Sequence, residues 1–192
     1  MAGRVPETPK PGDPVFDQVT HRICASNAQA LEAARIEAEA RGLQTEVIEW
    51  PIDGDVREGA RGFCGRLKEI ANQAPEGGVC LIGGGESTVK LGSSAGKGGR
   101  NQEFALASAF EIQGQKRLTV LSCGTDGTDG PTDAAGAVVD GGTIGRCRGL
   151  ELEPQRALEG HDAYPLFEAL GDLVKTGPTN SNVMDIMIGI VA

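Results

Sequence analysis

Short aliphatic runs at residues 45–50, 78–82, 118–123 and 183–191, punctuated by glycine or proline, alternate with stretches of helical spacing. That alternation restricts the chain to an α/β architecture. None of the runs approaches the ~20 residues needed to cross a bilayer. Ser26-Asn-Ala-Gln29 fits a capping box opening a helix that runs to Arg41 and stops at Gly42. Residues 56–71 are helical by the spacing of Phe63, Leu67 and Ile70, although Gly59, Gly62 and Gly65 weaken the pattern. Further helices are expected at 101–113, within 141–160 with a glycine-rich kink, and from Asp162 to Leu170. Additional strands are expected at 21–25 and 87–91, the latter making a hairpin-like pair with 78–82. Residues 134–140 suit either strand or helix. The expected fold is a three-layer α/β/α sandwich with a mixed sheet.

At 192 residues the chain suits one large domain, here 18–192, preceded by a linker at 1–17 that carries Pro6, Pro9, Pro11 and Pro14. Such a linker suggests that something precedes it. With 29 glycines and only one Trp, one Tyr and five Phe, the composition is aliphatic and glycine-punctuated. A net charge of −9 argues against a nucleic-acid or anionic-membrane surface. The five cysteines are odd in number and widely spaced, which favours reduced thiols and a cytoplasmic setting. Only His21 and His161 could supply imidazole to zinc, and neither has ligand spacing.

The run Gly124-Thr-Asp-Gly-Thr-Asp-Gly-Pro-Thr-Asp133 puts Asp126, Asp129 and Asp133 on a loop at a strand end. Carboxylates so crowded repel one another unless a cation, an arginine or a proton intervenes. Calcium is disfavoured, because the acids lack alternate-residue spacing and a distal bidentate Glu. A catalytic or magnesium-organising Asp fits better. Gly83-Gly84-Gly85-Glu86-Ser87-Thr88 reads equally well as an anion-binding backbone nest or a tight hairpin. Residues 92–100 fail both the Walker pattern and GxGxxG. What remains is a glycine hinge delivering Lys97 and Arg100 to the start of a helix, where free N–H groups add to their positive potential.

Four segments in series, Gly83-Gly-Gly-Glu-Ser-Thr88, Gly98-Gly-Arg-Asn-Gln-Glu-Phe104, Gly124 to Ala135 and Gly177-Pro-Thr-Asn-Ser-Asn182, resemble the C-terminal MOFRL domain of the glycerate 2-kinases. That family is also filed under hydroxypyruvate reductase in tartrate degradation. The resemblance implies ATP-dependent phosphorylation of D-glycerate to 2-phosphoglycerate with Mg²⁺, in a cleft shared with an N-terminal domain. It also implies that this chain is a C-terminal fragment, inactive alone. It assigns Arg100, Asp126 and Asn182 to catalysis. Gly84, Gly85, Glu86, Ser87 and Lys97 would serve the nucleotide, and Asp126 and Asp129 the metal. Asn180-Ser181 stands where the family commonly has Gly-Thr, a change that restricts the turn.

Two rival readings remain. A nicotinamide-dependent hydroxypyruvate reductase lacks a dinucleotide fingerprint after any strand here. A non-catalytic module recognising a small carboxylate or nucleotide is the other. The expected partners are glycerate and the N-terminal domain, with no nucleic acid and no membrane; a homo-oligomer stays open.

Overall fold

The computed structural model describes residues 7–73, 78–92 and 95–192. Part of the expected linker and Ser93-Ser94 of the glycine hinge therefore lie outside the described residues. Residues 7–25 are exposed throughout and hold only a 3₁₀ turn, Pro14–Phe16, capped by Asp13. The strand expected at 21–25 does not form: no neighbouring strand offers it hydrogen bonds, and Ile23 is left exposed.

Helix α1 (Asn27–Ala40) starts where the Ser26 side chain accepts the Gln29 N–H, as its capping box implied. Strand β1 (Gln44–Val47) follows, then β2 (Gly54–Asp55) and α2 (Val56–Gln73). Despite three glycines α2 runs unbroken, because Phe63, Cys64, Leu67 and Ile70 bury one continuous stripe. Next come β3 (Val79–Gly85), β4 (Ser87–Thr88), α3 (Arg100–Glu111), β5 (Leu118–Gly124) and β6 (Gly136–Asp140). The single kinked helix expected in 141–160 is two short helices, α4 (Thr143–Gly149) and α5 (Pro154–Glu159), parted where Glu151 takes a φ of 56°. Helix α6 (Ala163–Leu170), β7 (Leu173–Val174) and β8 (Asp185–Val191) complete the chain.

The sheet order is β1-β3-β8-β5-β6-β7, with β1 and β3 parallel and the other pairs antiparallel. Strands β3 and β8 sort their side chains between two cores. Cys80, Ile82, Ile188 and Ile190 meet α1 on one face. Leu81, Met187 and Val191 join Phe63, Leu67, Phe104 and Leu106 from α2 and α3 on the other. The result is the expected three-layer sandwich with a mixed sheet. Among the described residues no helix is long and apolar enough to cross a membrane.

The hairpin between 78–82 and 87–91 is not there. Strand β4 pairs instead with β2, in parallel, as a separate two-stranded ribbon. Strand β3 continues through Gly83, Gly84 and Gly85, which pair with Met187, Ile186 and Asp185. The glycine run is required by crowding: a Cβ on Gly85 would strike the backbone of Ile52, and one on Gly84 would strike Asn27. These backbone groups are engaged in the sheet, so the nest reading falls with the hairpin reading.

Candidate functional site

In the register of the sheet, Gly85 at the end of β3, Asp185 at the start of β8 and Gly124 at the end of β5 lie side by side. Two glycines flank one acid there. A Cβ built on Gly124 would lie 3.1 Å from the Asp126 carboxylate and 3.6 Å from that of Asp185, so both acids overhang this bare spot of backbone.

Arg100, the first residue of α3, reaches the same sheet end. Its Nε and Nη2 donate to Asp185 at 2.6 and 3.0 Å, and its Nη1 lies 3.1 Å from Glu86. The Asp185 side chain is 0% exposed, that of Arg100 34% and that of Glu86 54%. The hydrogen bond to Asp185, with the nearby acids, holds the guanidinium above its usual pKa. Asp185 went unnoticed in the sequence because, in the run Val183–Val191, it looks like the polar start of a strand. The signal was a carboxylate opening an otherwise aliphatic segment, which must find a cation to be buried.

The three aspartates of the loop after β5 part company, which is how their repulsion is relieved. Asp126 lines the cavity, its Oδ1 accepting the Thr128 N–H at 3.0 Å. Asp133 turns away to the Tyr164 hydroxyl (2.7 Å) and Lys175 (3.0 Å). Asp129 is buried at the start of α3: its two oxygens accept the N–H groups of Asn101 (3.0 Å) and Gln102 (2.8 Å). Burial pushes its pKa up, against the lowering effect of these bonds. The free helix terminus anticipated for a ligand anion is thus occupied by the protein's own carboxylate. Asp129 is corrected from metal ligand to cap of α3. Asn101 and Gln102 complete the clamp, Asn101 Oδ1 accepting from Ser122 Oγ (2.7 Å) and Gln102 Nε2 donating to Thr132 (3.0 Å).

A cavity of about 850 Å³ opens beside these groups. Glu86, Ser87, Arg100, Asp126 and Asp129 line it, with Gly96, Gly98, Gly99 and Gly130 forming much of its wall. Ser87 Oγ is buried and has no hydrogen-bond partner among the described residues. Gly84, Gly85, Lys97 and Asn182 are not among the lining residues. The Lys97 ammonium lies over the Tyr164 ring, 3.7 Å from its centre. Asn182 accepts the Met184 N–H (3.0 Å) in a loop that docks on the aspartate loop through Thr179 N–H to Asp126 O (3.0 Å). Within that loop Asn180 takes a φ of 58°, a conformation Asn tolerates better than most residues. This is how the chain accommodates Asn where glycine is common.

Among the described residues no three His, Cys, Asp or Glu side chains form a metal-binding group. One carboxylate oxygen of Asp126, Oδ2, has no hydrogen-bond partner among the described residues.

Residues 79–185 match the MOFRL family. A D-glycerate 2-kinase of Thermotoga maritima is 35% identical over 96% of this chain and 44% of its own length. A protein of Agrobacterium vitis, provisionally named a hydroxypyruvate reductase, is 40% identical over 94% of this chain and 41% of its own. The crystal structure of the Thermotoga maritima glycerate kinase superposes with a TM-score of 0.83 at 36% identity, covering 88% of this chain and 41% of that one. The chain thus spans about two fifths of the length of these relatives.

Proposed function

This chain belongs to the MOFRL family, and on that premise we propose that it forms the C-terminal half of a glycerate 2-kinase. In this reading D-glycerate is phosphorylated to 2-phosphoglycerate with ATP as donor, in a cleft shared with an N-terminal domain. The observation that supports it best is the meeting of Arg100, Asp126 and Glu86 at one glycine-walled cavity. Phosphoryl transfer asks the protein chiefly for positioning and charge stabilisation, and these are the groups to provide both.

Arg100 is held by Asp185 on one side and by a half-exposed Glu86 on the other. A substrate carboxylate can displace Glu86 from Nη1 without disturbing the buried pair. Asp126 accepts the proton of the 2-hydroxyl or anchors Mg²⁺, and Asn182, outside the cavity lining, would orient the substrate only after its loop moved inward. The unpartnered Ser87 hydroxyl offers a hydrogen bond to a phosphate oxygen. Bound Mg-ATP would supply the phosphoryl group, and its cation, not the anionic complex as a whole, would offset charge at Asp126. Lys97 would serve the nucleotide only after leaving Tyr164.

The test is a coupled assay on the full-length enzyme. ATP-dependent consumption of D-glycerate is the expected result. Oxidation of NADH by hydroxypyruvate without ATP would replace it with the reductase reading that the name of the Agrobacterium relative brings to mind. Tight glycerate binding with no turnover would leave only a recognition module.

A further inference from the structure

One titratable side chain in the cavity wall has no part in the chemistry above. His161 lines the cavity, its side chain 17% exposed. Its Nδ1 sits 2.7 Å from Glu103 Oε2, and the other oxygen of that buried carboxylate is 2.8 Å from Arg57 Nε. Arg57 in turn donates to the Leu158 carbonyl at 2.6 Å, which fixes the guanidinium. A carboxylate paired with arginine only accepts hydrogen bonds, so the Nδ1 bonded to it carries the proton. With Nδ1 committed to Glu103, Nε2 is the ring nitrogen left for a ligand. Among the described residues nothing bonds to Nε2.

The backbone fixes where the ring starts from. His161 holds a φ of 53°, in the left-handed region that Asn, Asp and His tolerate better than most side chains. That conformation closes the C-terminus of α5, His161 N–H donating to the Leu158 carbonyl (3.3 Å) and Asp162 N–H to that of Ala157 (2.8 Å). Glu103 follows Arg100 by three residues on α3, so one helix face supports both the guanidinium and the imidazole. A hydroxy acid carries what these two groups complement: an anion for Arg100 and a hydroxyl for an unoccupied ring nitrogen.

We propose that His161, oriented by Glu103 and Arg57, contacts the substrate, its Nε2 forming a hydrogen bond with a hydroxyl of the bound acid. The proposal rests on the glycerate-kinase reading of the cavity. It makes His161 a determinant of selectivity for hydroxylated acids.

The experiment compares the full-length enzyme with its His161→Asn and His161→Gln variants. Asn suits the backbone and can still donate to Glu103, but it lacks the far nitrogen. For His161→Asn we expect an unchanged or higher Tm, a kcat/KM for D-glycerate about tenfold lower, and an unaltered KM for ATP. His161→Gln, whose longer amide reaches toward the place of Nε2, should recover part of the loss. A His161→Asn enzyme with wild-type kcat/KM for glycerate overturns the proposal. So does one that loses Tm and weakens for both substrates alike, since that is the mark of a structural residue. A wild-type enzyme that leaves glycerate untouched instead sinks the kinase reading, and the proposal with it.

Discussion

Arg100 grips Asp185 through two hydrogen bonds, at 2.6 and 3.0 Å, and leaves only Nη1 for Glu86 and the cavity. The guanidinium expected to clamp substrate is therefore also the counter-charge of a fully buried acid. Arg100→Ala strands that acid without a partner. We expect a stability loss of about 3 kcal/mol, measured by urea unfolding of the 192-residue chain, besides any loss of activity. Asp185→Asn, which keeps the shape and introduces no charge, should cost less. Wild-type unfolding of Arg100→Ala would show that the pair anchors nothing.

Asp126 separates chemistry from architecture. The one hydrogen bond of its side chain among the described residues, from the Thr128 N–H, is equally well accepted by an asparagine oxygen. Asp126→Asn should change stability by less than about 0.5 kcal/mol. In the full-length enzyme kcat should fall by roughly a hundredfold or more if the carboxylate takes the hydroxyl proton. Steady-state kinetics beside a melting curve decide the matter; undiminished turnover removes Asp126 from the reaction.

Gly84 tests whether the glycine run serves packing or ligand. The Asn27 amide donates to the carbonyls of Val183 (2.7 Å) and Asp185 (3.0 Å), tying α1 to the start of β8. A methyl group on Gly84 would drive into that amide. Gly84→Ala should lower stability by about 1–3 kcal/mol, visible as an earlier denaturant midpoint. An unchanged midpoint would mean that Asn27 gives way freely.

The thiols supply a prediction about pH. Burial pushes Cys64 and Cys123 up to about 11 and raises Cys80 and Cys147 as well. Burial disfavours the thiolate, so at pH 8 only about one part in a thousand of a thiol with that pKa is reactive. Cys24 is exposed. A disulfide reagent at pH 8 should consume one equivalent quickly and the other four only on unfolding. Two or more rapid equivalents would contradict the packing of the sheet.

Element types were largely readable from residue order. The Ser26 cap, the glycine stops and the apolar stripe of α2 are interactions between near neighbours, and they appear where the residues imply. The misjudged strands were those needing a remote partner. Residues 21–25 had strand composition but no strand to join, and Ser87-Thr88 chose Gly54-Asp55 over its nearer neighbour. The glycines at 83–85 looked like a ligand nest because the reason for them, Asn27 and Ile52 pressing from elsewhere, is not local.

The division at the cavity has the same origin. Residue identity alone established that acids, glycines and a guanidinium would gather at strand and helix ends, since those are the positions where such residues are tolerated. Only packing assigned their tasks: Asp129 to a helix terminus, Asp133 to Tyr164, Asp126 to the cavity, and Asp185 to an arginine 85 positions away. Burying a charge requires a partner in space, and the chain supplies that partner only once the sheet has brought β3, β5 and β8 into register.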